Sequence, residues 1–294
     1  MNTVTLNIDQ PRINDVLRDD LNNIVSEAAL NVGELLASPL DAQRPLQDDI
    51  FDLELVPLLS RSSESMPDCV FASEPKGMAA EEFRLMQQRL VSLSPRGGSA
   101  LLTSPGAGDG KSLNTRNLAW ALAEAGHNTI LLELDLRRPT QARYMRAQLS
   151  TTMVQVLSGS VSPASAVRRV GKIPLFYIGL HKPADNPTEL IRSTQLNHLL
   201  TWARHNFAWV IVDGPPVLAI ADVEELLPKV DLVLMIARER STPRVMLEKA
   251  AERLGKRLNF VIFNDVSLGS IYGYGYDRPS HPYLGSNSRP RTGI

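Results

Sequence analysis

With 294 residues, 43% of them hydrophobic, the chain is long enough for one large α/β domain plus an appendage; its single cysteine, Cys69, excludes a disulfide framework and a multi-cysteine metal site and favours a reducing compartment. It holds no apolar run of about 18 residues, so no membrane-spanning helix is expected, and Met1 to Asp20 lacks the basic and apolar regions of a secretory signal; the expected location is cytoplasmic, with membrane association made through a partner. The net charge of −1 divides into −10 for residues 1–75, with 14 acidic and 4 basic side chains, and +9 for the rest, a basic body that suits a polyanionic ligand such as ATP and equally suits DNA.

Ile13, Val16, Leu17, Leu21, Ile24, Val25, Ala28, Val32, Leu35 and Leu36 recur at helical spacing and predict one amphipathic helix. Ser38 to Pro75 is rich in Pro, Asp and Ser and reads as linker, with one patch, Ile50 to Leu59, apolar enough to be ordered. Residues 1–75 are therefore expected to be an acidic appendage, with the main domain over 76–266. Ala79 to Leu93 has helical periodicity. A short apolar run, Ser99 to Thr103, leads into a glycine-rich turn and a helix from Lys111 to about Ala125, with Gly126 at the C-cap position. Buried strands are predicted at Thr129 to Leu134, Pro174 to Gly179, Ala208 to Val212, Val230 to Ala237 and Asn259 to Phe263. Helical stretches separate them, notably Pro187 to Arg204 and Pro243 to Arg257. Continuous apolar strands alternating with helices predict a doubly wound α/β fold with a mostly parallel sheet. Residues 267–294 turn to Gly, Tyr, Ser, Pro and Arg and read as a flexible tail.

Chemistry concentrates at three strand ends. A phosphate cradle needs backbone N–H groups pointing inward, a lysine for the β/γ-phosphates and a hydroxyl for Mg²⁺. The segment Gly106, Ala107, Gly108, Asp109, Gly110, Lys111, Ser112 and Leu113 supplies all of these between a strand and a helix, so ATP with Mg²⁺ is the expected ligand. The usual first glycine of the pattern falls at Pro105. The apolar strand ending at Asp213 places a carboxylate where such folds hold Mg²⁺. A second strand, Ile130 to Leu134, carries Glu133 and leads to Asp135, followed by Leu136-Arg137-Arg138-Pro139. Alternation along a strand predicts that Glu133 and Asp135 point to the same side, at the metal.

Together these segments resemble the cytoplasmic bacterial tyrosine autokinases of capsule and exopolysaccharide systems. Ser104 to Ser112 is similar to their Walker A motif, Leu131 to Pro139 to their second acidic motif, and Val210 to Asp222 to their Walker B segment. Asn186 to Ile191 matches a segment between them, Phe260 to Val266 resembles the strand ending at the adenine pocket, and Glu81-Glu82-Phe83-Arg84 resembles the start of the oligomerisation helix. The resemblance covers roughly residues 76–284. It implies transfer of phosphate from MgATP to tyrosine, with Lys111 on the β/γ-phosphates, Ser112, Asp135 and Asp213 at the metal, Asp135 with Glu133 as proton acceptor, and Asn264 at the adenine. Arg137 and Arg138 would face phosphates or a neighbouring subunit, or simply solvent. The acceptors would be the tail tyrosines Tyr272, Tyr274, Tyr276 and Tyr283. A homo-oligomer and an activating transmembrane polysaccharide co-polymerase are implied as partners, and no nucleic acid.

Two further departures from the family pattern stand out. Glu133 occupies the place of an aspartate, and Gln87 the place of an arginine in the oligomerisation motif. They leave open a weakened kinase or a catalytically silent nucleotide-binding scaffold of a polysaccharide export system. A partitioning-type ATPase is the other alternative. Such proteins carry an extra lysine where this chain has Gly106, and they lack a terminal tyrosine cluster.

Overall fold

The computed structural model describes residues 4–7, 51–61 and 69–266. In chain order the strands are β1 (Val4–Asn7), β2 (Ser60–Arg61), β3 (Gly98–Thr103), β4 (Thr129–Glu133), β5 (Ala147–Gln148), β6 (Arg168–Arg169), β7 (Leu175–Ile178), β8 (Trp209–Asp213), β9 (Leu232–Arg238) and β10 (Phe260–Asn264). The helices are α1 (Val70–Ser73), α2 (Met78–Leu93), α3 (Lys111–Glu124), α4 (Gln141–Tyr144), α5 (Met153–Leu157), α6 (Pro163–Ala166), α7 (Pro187–Arg192), α8 (Thr194–Asn206), α9 (Asp222–Leu226) and α10 (Arg244–Leu254).

Eight strands form one sheet in the order β1-β10-β9-β3-β8-β4-β7-β6. The six from β10 to β7 run parallel, and the two edges are antiparallel. The inner strands are buried on both faces, which is why they read as continuous apolar runs rather than alternating ones. One core packs α2 and α3 against one face; the other packs α5 to α10 against the opposite face. On α2 the buried residues Ala80, Phe83, Met86, Gln87 and Leu90 recur every three to four positions and make a single stripe. Burial of its Phe, Met and Leu contributes about 1.5–3 kcal/mol each.

β3 lies between β8 and β9, yet the chain leaving it passes over β8 to reach β4. The strand order reverses here, and the crevice opens at the carboxyl ends of the strands, where ligands of such sheets bind. The carboxyl ends of β3, β4, β8 and β10 carry the phosphate loop, Glu133, Asp213 and Asn264.

One expectation changes and another is met. The helix predicted from Pro187 to Arg204 is broken at Ser193, whose extended backbone (φ −65, ψ 152) ends α7 and starts α8. The patch expected to be ordered within the linker packs on the body over residues 51–59. Phe51 meets Trp202 edge-on at 5.0 Å, Val56 and Leu59 are buried, and β2 pairs with β5. Farther upstream, β1 pairs with β10. Packing thus reaches across the compositional boundary near residue 76. The helix predicted within 13–36 and the tail 267–294, with its four tyrosines, lie outside the described residues. No helix among the described residues is long and apolar enough to cross a membrane.

Candidate active site

β3 delivers the chain to the loop 104–110. Gly108 and Gly110 adopt φ of +94 and +92, a conformation that side chains rarely take. A Cβ on Gly110 would also run into the Asn264 amide. The loop is tied internally: the Ser104 hydroxyl donates to the Gly106 carbonyl at 2.6 Å, and the Gly106 N–H donates to Asp109 Oδ2 at 3.1 Å. It is tied from outside as well. Thr242 Oγ1 donates to Asp109 Oδ1 at 2.6 Å, and Asn264 Nδ2 donates to the Asp109 carbonyl at 3.1 Å. Ala107 and Gly108 are exposed at the tip, and Leu113 packs on the core beneath α3.

Lys111 is the first residue of α3 and is buried. Its Nζ lies 2.5 Å from Asp213 Oδ1, 3.5 Å from Asp135 Oδ2 and 3.3 Å from Ser112 Oγ. Burial works to lower the ammonium pKa, but Asp213 and then Asp135 outweigh it and hold it above the usual lysine range. Burial raises the Asp135 carboxyl; Lys111 opposes this and Asp213 adds to it. The structure therefore brings together Lys111, Ser112, Asp135 and Asp213, as the sequence predicts.

Glu133 is different. Its carboxylate is fully buried and does not share a direction with Asp135. Oε1 accepts the N–H groups of Thr140 and Gln141 at 2.6 and 2.7 Å; Oε2 accepts the Tyr177 hydroxyl at 2.7 Å and the Leu180 N–H at 3.4 Å. The expected alternation fails because the strand has already ended. The N–H groups of Leu134 and Asp135 both donate to the Asp213 carbonyl, so the chain turns between Glu133 and Asp135. The additional methylene of glutamate then carries its carboxylate to the start of α4. Burial, and next the charge of Asp213, push this carboxyl up to about 7, against the pull of the Gln141, Tyr177 and Thr140 donors. Gly179 leaves the room: a Cβ there would strike the Tyr177 hydroxyl and stand 2.7 Å from Glu133 Oε2.

The two arginines also separate. Arg137 Nε donates to Asp222 Oδ2 at 3.0 Å and its Nη2 to Thr188 Oγ1 at 2.7 Å, fastening the segment after β4 to α9 and α7. Arg138 is exposed and gives its backbone N–H to Asp135 Oδ1 at 3.1 Å. Residue-by-residue reading missed Gln141 and Thr115. Both touch Asp213, at 2.8 Å from Gln141 Nε2 and 3.5 Å from Thr115 Oγ1. Thr115 lies one helical turn beyond Lys111, a signal that spacing offers. For Gln141 there is none.

These residues fit a nucleotide with Mg²⁺. The left-handed glycines leave a cradle free of Cβ atoms, and the buried Oδ1 atoms of Asn264 and Asn114 have no hydrogen-bond partner among the described residues. A hydroxyl and carboxylates are hard oxygen donors of the kind Mg²⁺ takes alongside phosphates. Among the described residues no cluster of three or more His, Cys, Asp or Glu is arranged to hold a metal by itself, and a cation bound partly by phosphates does not require one.

No family model matches the chain. It is 28% identical over 222 residues to the tyrosine-protein kinase YwqD of Bacillus subtilis (strain 168), an alignment covering 74% of this chain and 94% of that one. It is 31% identical over 202 residues to the tyrosine-protein kinase ptk of Acinetobacter johnsonii, covering 67% of this chain and 27% of that one. The chain therefore spans nearly all of a short relative and only 27–30% of long ones. Among solved structures, the BceF tyrosine kinase domain superposes with a TM-score of 0.60 at 27% identity, over 72% of this chain and 94% of that domain.

Proposed function

We propose, for a chain that belongs to the bacterial tyrosine-protein kinases, that it transfers phosphate from MgATP to tyrosine hydroxyls, its own tail included. The observation that carries this reading is Lys111 seated at the start of α3 between Asp213 and Asp135. MgATP supplies the phosphoryl group and a cation that screens its charge. Lys111 and the amino end of α3 neutralise the β/γ-phosphates. The Ser112 hydroxyl and the Asp213 carboxylate would hold the cation, with Asp135 beside them. Asn264, whose amide N–H is spent on the loop, offers its free Oδ1 to the adenine amino group. Asp135 Oδ2, 3.5 Å from Lys111 Nζ, accepts the tyrosine proton. Glu133 supports this set and does not join it. Phosphoryl transfer of this kind rests on positioning and charge neutralisation more than on covalent chemistry.

In this reading Tyr272, Tyr274, Tyr276 and Tyr283 are the acceptors, presented by the same chain or by a neighbour in a homo-oligomer. The protein works in the cytoplasm at the inner face of the membrane, regulated by a transmembrane polysaccharide co-polymerase, and controls capsule or exopolysaccharide polymerisation and export. Support comes from the motif resemblance and from the relatives' names, one of which reads tyrosine-protein kinase CpsD. The test is expression with that partner, followed by phosphotyrosine detection and mass spectrometry. Replacing the four tail tyrosines by Phe should abolish the signal while nucleotide binding persists. Label found mainly on Tyr144 or Tyr177 would refute tail phosphorylation. Nucleotide binding with no phosphotyrosine at all would favour a silent scaffold or a partitioning-type ATPase.

A further inference from the structure

Gln141 is fully buried between the amino end of α3 and the carboxyl end of β8. Its Nε2 donates to the Ser112 carbonyl and to Asp213 Oδ2, both at 2.8 Å. Its Oε1 accepts from Arg116 Nη1 at 3.0 Å, and the Arg116 guanidinium lies 5.0 Å from the centre of the Tyr144 ring. Its backbone N–H is held by Glu133. The orientation of the amide is forced by its surroundings. A guanidinium only donates, and a carbonyl and a carboxylate only accept, so an amide is the group that satisfies all three at once. An apolar side chain would remove this contact from all three, and a lysine would face Arg116 with like charge.

From this we infer that Gln141 is a positioning residue for the cation site: it fixes the rotation of the Asp213 carboxylate and ties it to the backbone of Ser112. The inference rests on the phosphoryl-transfer reading and deepens it. Asp213 takes Lys111, and at longer range Thr115, on Oδ1 and Gln141 on Oδ2. Phosphate charge competes for the lysine. Gln141 carries no charge that phosphate can draw away, so it keeps Asp213 in place when Lys111 turns to the nucleotide. Glu133 completes the device from behind, because the two N–H groups it accepts set the start of α4, from which Gln141 projects. Partners standing behind metal ligands orient them, and their loss typically weakens metal affinity about 10–100-fold.

The test is titration of a fluorescent ADP analogue with Mg²⁺ on the full chain, comparing wild type with Gln141→Met, which keeps length and loses polarity, and Gln141→Asn, which keeps the amide and loses reach. Melting temperature is recorded for each. The expected result is that nucleotide affinity without Mg²⁺ stays within about twofold, while the Mg²⁺ concentration for half-maximal enhancement rises about 10–100-fold in both variants. Folded variants with the wild-type Mg²⁺ dependence would overturn the inference and leave the kinase reading intact. Loss of a cooperative melting transition in both would place Gln141 in fold stability and overturn it too. A wild-type protein that binds no nucleotide at any Mg²⁺ concentration would remove both readings together.

Discussion

β4 and β8 are parallel neighbours whose ends stand in register, Glu133 opposite Asp213. Both carry a carboxylate with no solvent exposure, at the same height of the same crevice. The rest of the chain uses them in opposite ways. Asp213 meets side chains, among them a lysine that phosphate can claim and a glutamine that it cannot. Glu133 meets mainly backbone N–H groups and a buried tyrosine, donors that have nowhere else to go. One methylene and one turn of chain separate a candidate ligand from a clamp. Burial alone therefore does not identify a working carboxylate; the mobility of its partners does.

The largest effect should come from the Asp213 side. Lys111→Ala removes the ammonium expected to face the phosphates and leaves Asp213 and Asp135 buried without it. Truncating one partner of a buried charge pair costs about 2–5 kcal/mol, so affinity for a fluorescent ATP analogue should fall roughly thirtyfold or more. Unchanged affinity in a folded variant would erase the distinction between the two strand ends.

Glu133→Asp addresses the other side. Shortening the side chain withdraws the carboxylate from the Thr140 and Gln141 N–H groups. Each buried donor left unpaired costs about 1–3 kcal/mol. The variant should lose roughly 2–5 kcal/mol in denaturant unfolding and transfer phosphate more slowly. A faster variant would mean that Glu133 reaches the reacting hydroxyl after all, as the family pattern suggests for an aspartate there.

Titration gives a third handle. The folded-state carboxyl of Glu133 is raised from 4.5 to about 7. A raised group contributes stability that is fully present below its unfolded value and is lost as pH rises through the folded one. Wild type should therefore lose stability relative to Glu133→Gln between pH 4.5 and 7, by at most on the order of 3 kcal/mol. Parallel pH–stability curves for the two proteins would contradict this account of Glu133.

The smallest change is expected from Tyr177→Phe, which deletes one donor to Glu133 and leaves the backbone donors in place. A hydrogen bond to a charged group is worth about 1.5–3 kcal/mol, so melting should drop by several degrees with nucleotide affinity unaltered. A loss of affinity as large as that of Lys111→Ala would show that the clamp and the cation site are one unit.

Much of this architecture can be read in the sequence because the signals are local. The strands at 98–103, 129–133, 175–178, 209–213, 232–238 and 260–264 announce themselves as apolar runs, and glycine spacing announces the phosphate loop. Lys111, Ser112, Asp135 and Asp213 follow from strand ends and motif spacing. What escaped depends on the chain returning to itself. Gln141 gains its role only because α4 folds back beneath β8. The destination of Glu133 depends on a turn at Leu134 that alternation does not foresee. The short elements between Thr140 and Arg169 carry too few residues for any period to emerge.

In the proposed mechanism Asp135, and not Glu133, receives the tyrosine proton beside Lys111 and Asp213. Single-turnover phosphate transfer to tyrosine at saturating MgATP tests it most directly, because saturation removes differences in binding. Wild type should form phosphotyrosine. Asp135→Asn, which keeps shape and loses the basic oxygen, should slow transfer about 10²–10⁴-fold, well beyond the loss in Glu133→Asp. Equal rates in wild type and Asp135→Asn, or no phosphotyrosine from wild type with the proposed co-polymerase present, would contradict the account.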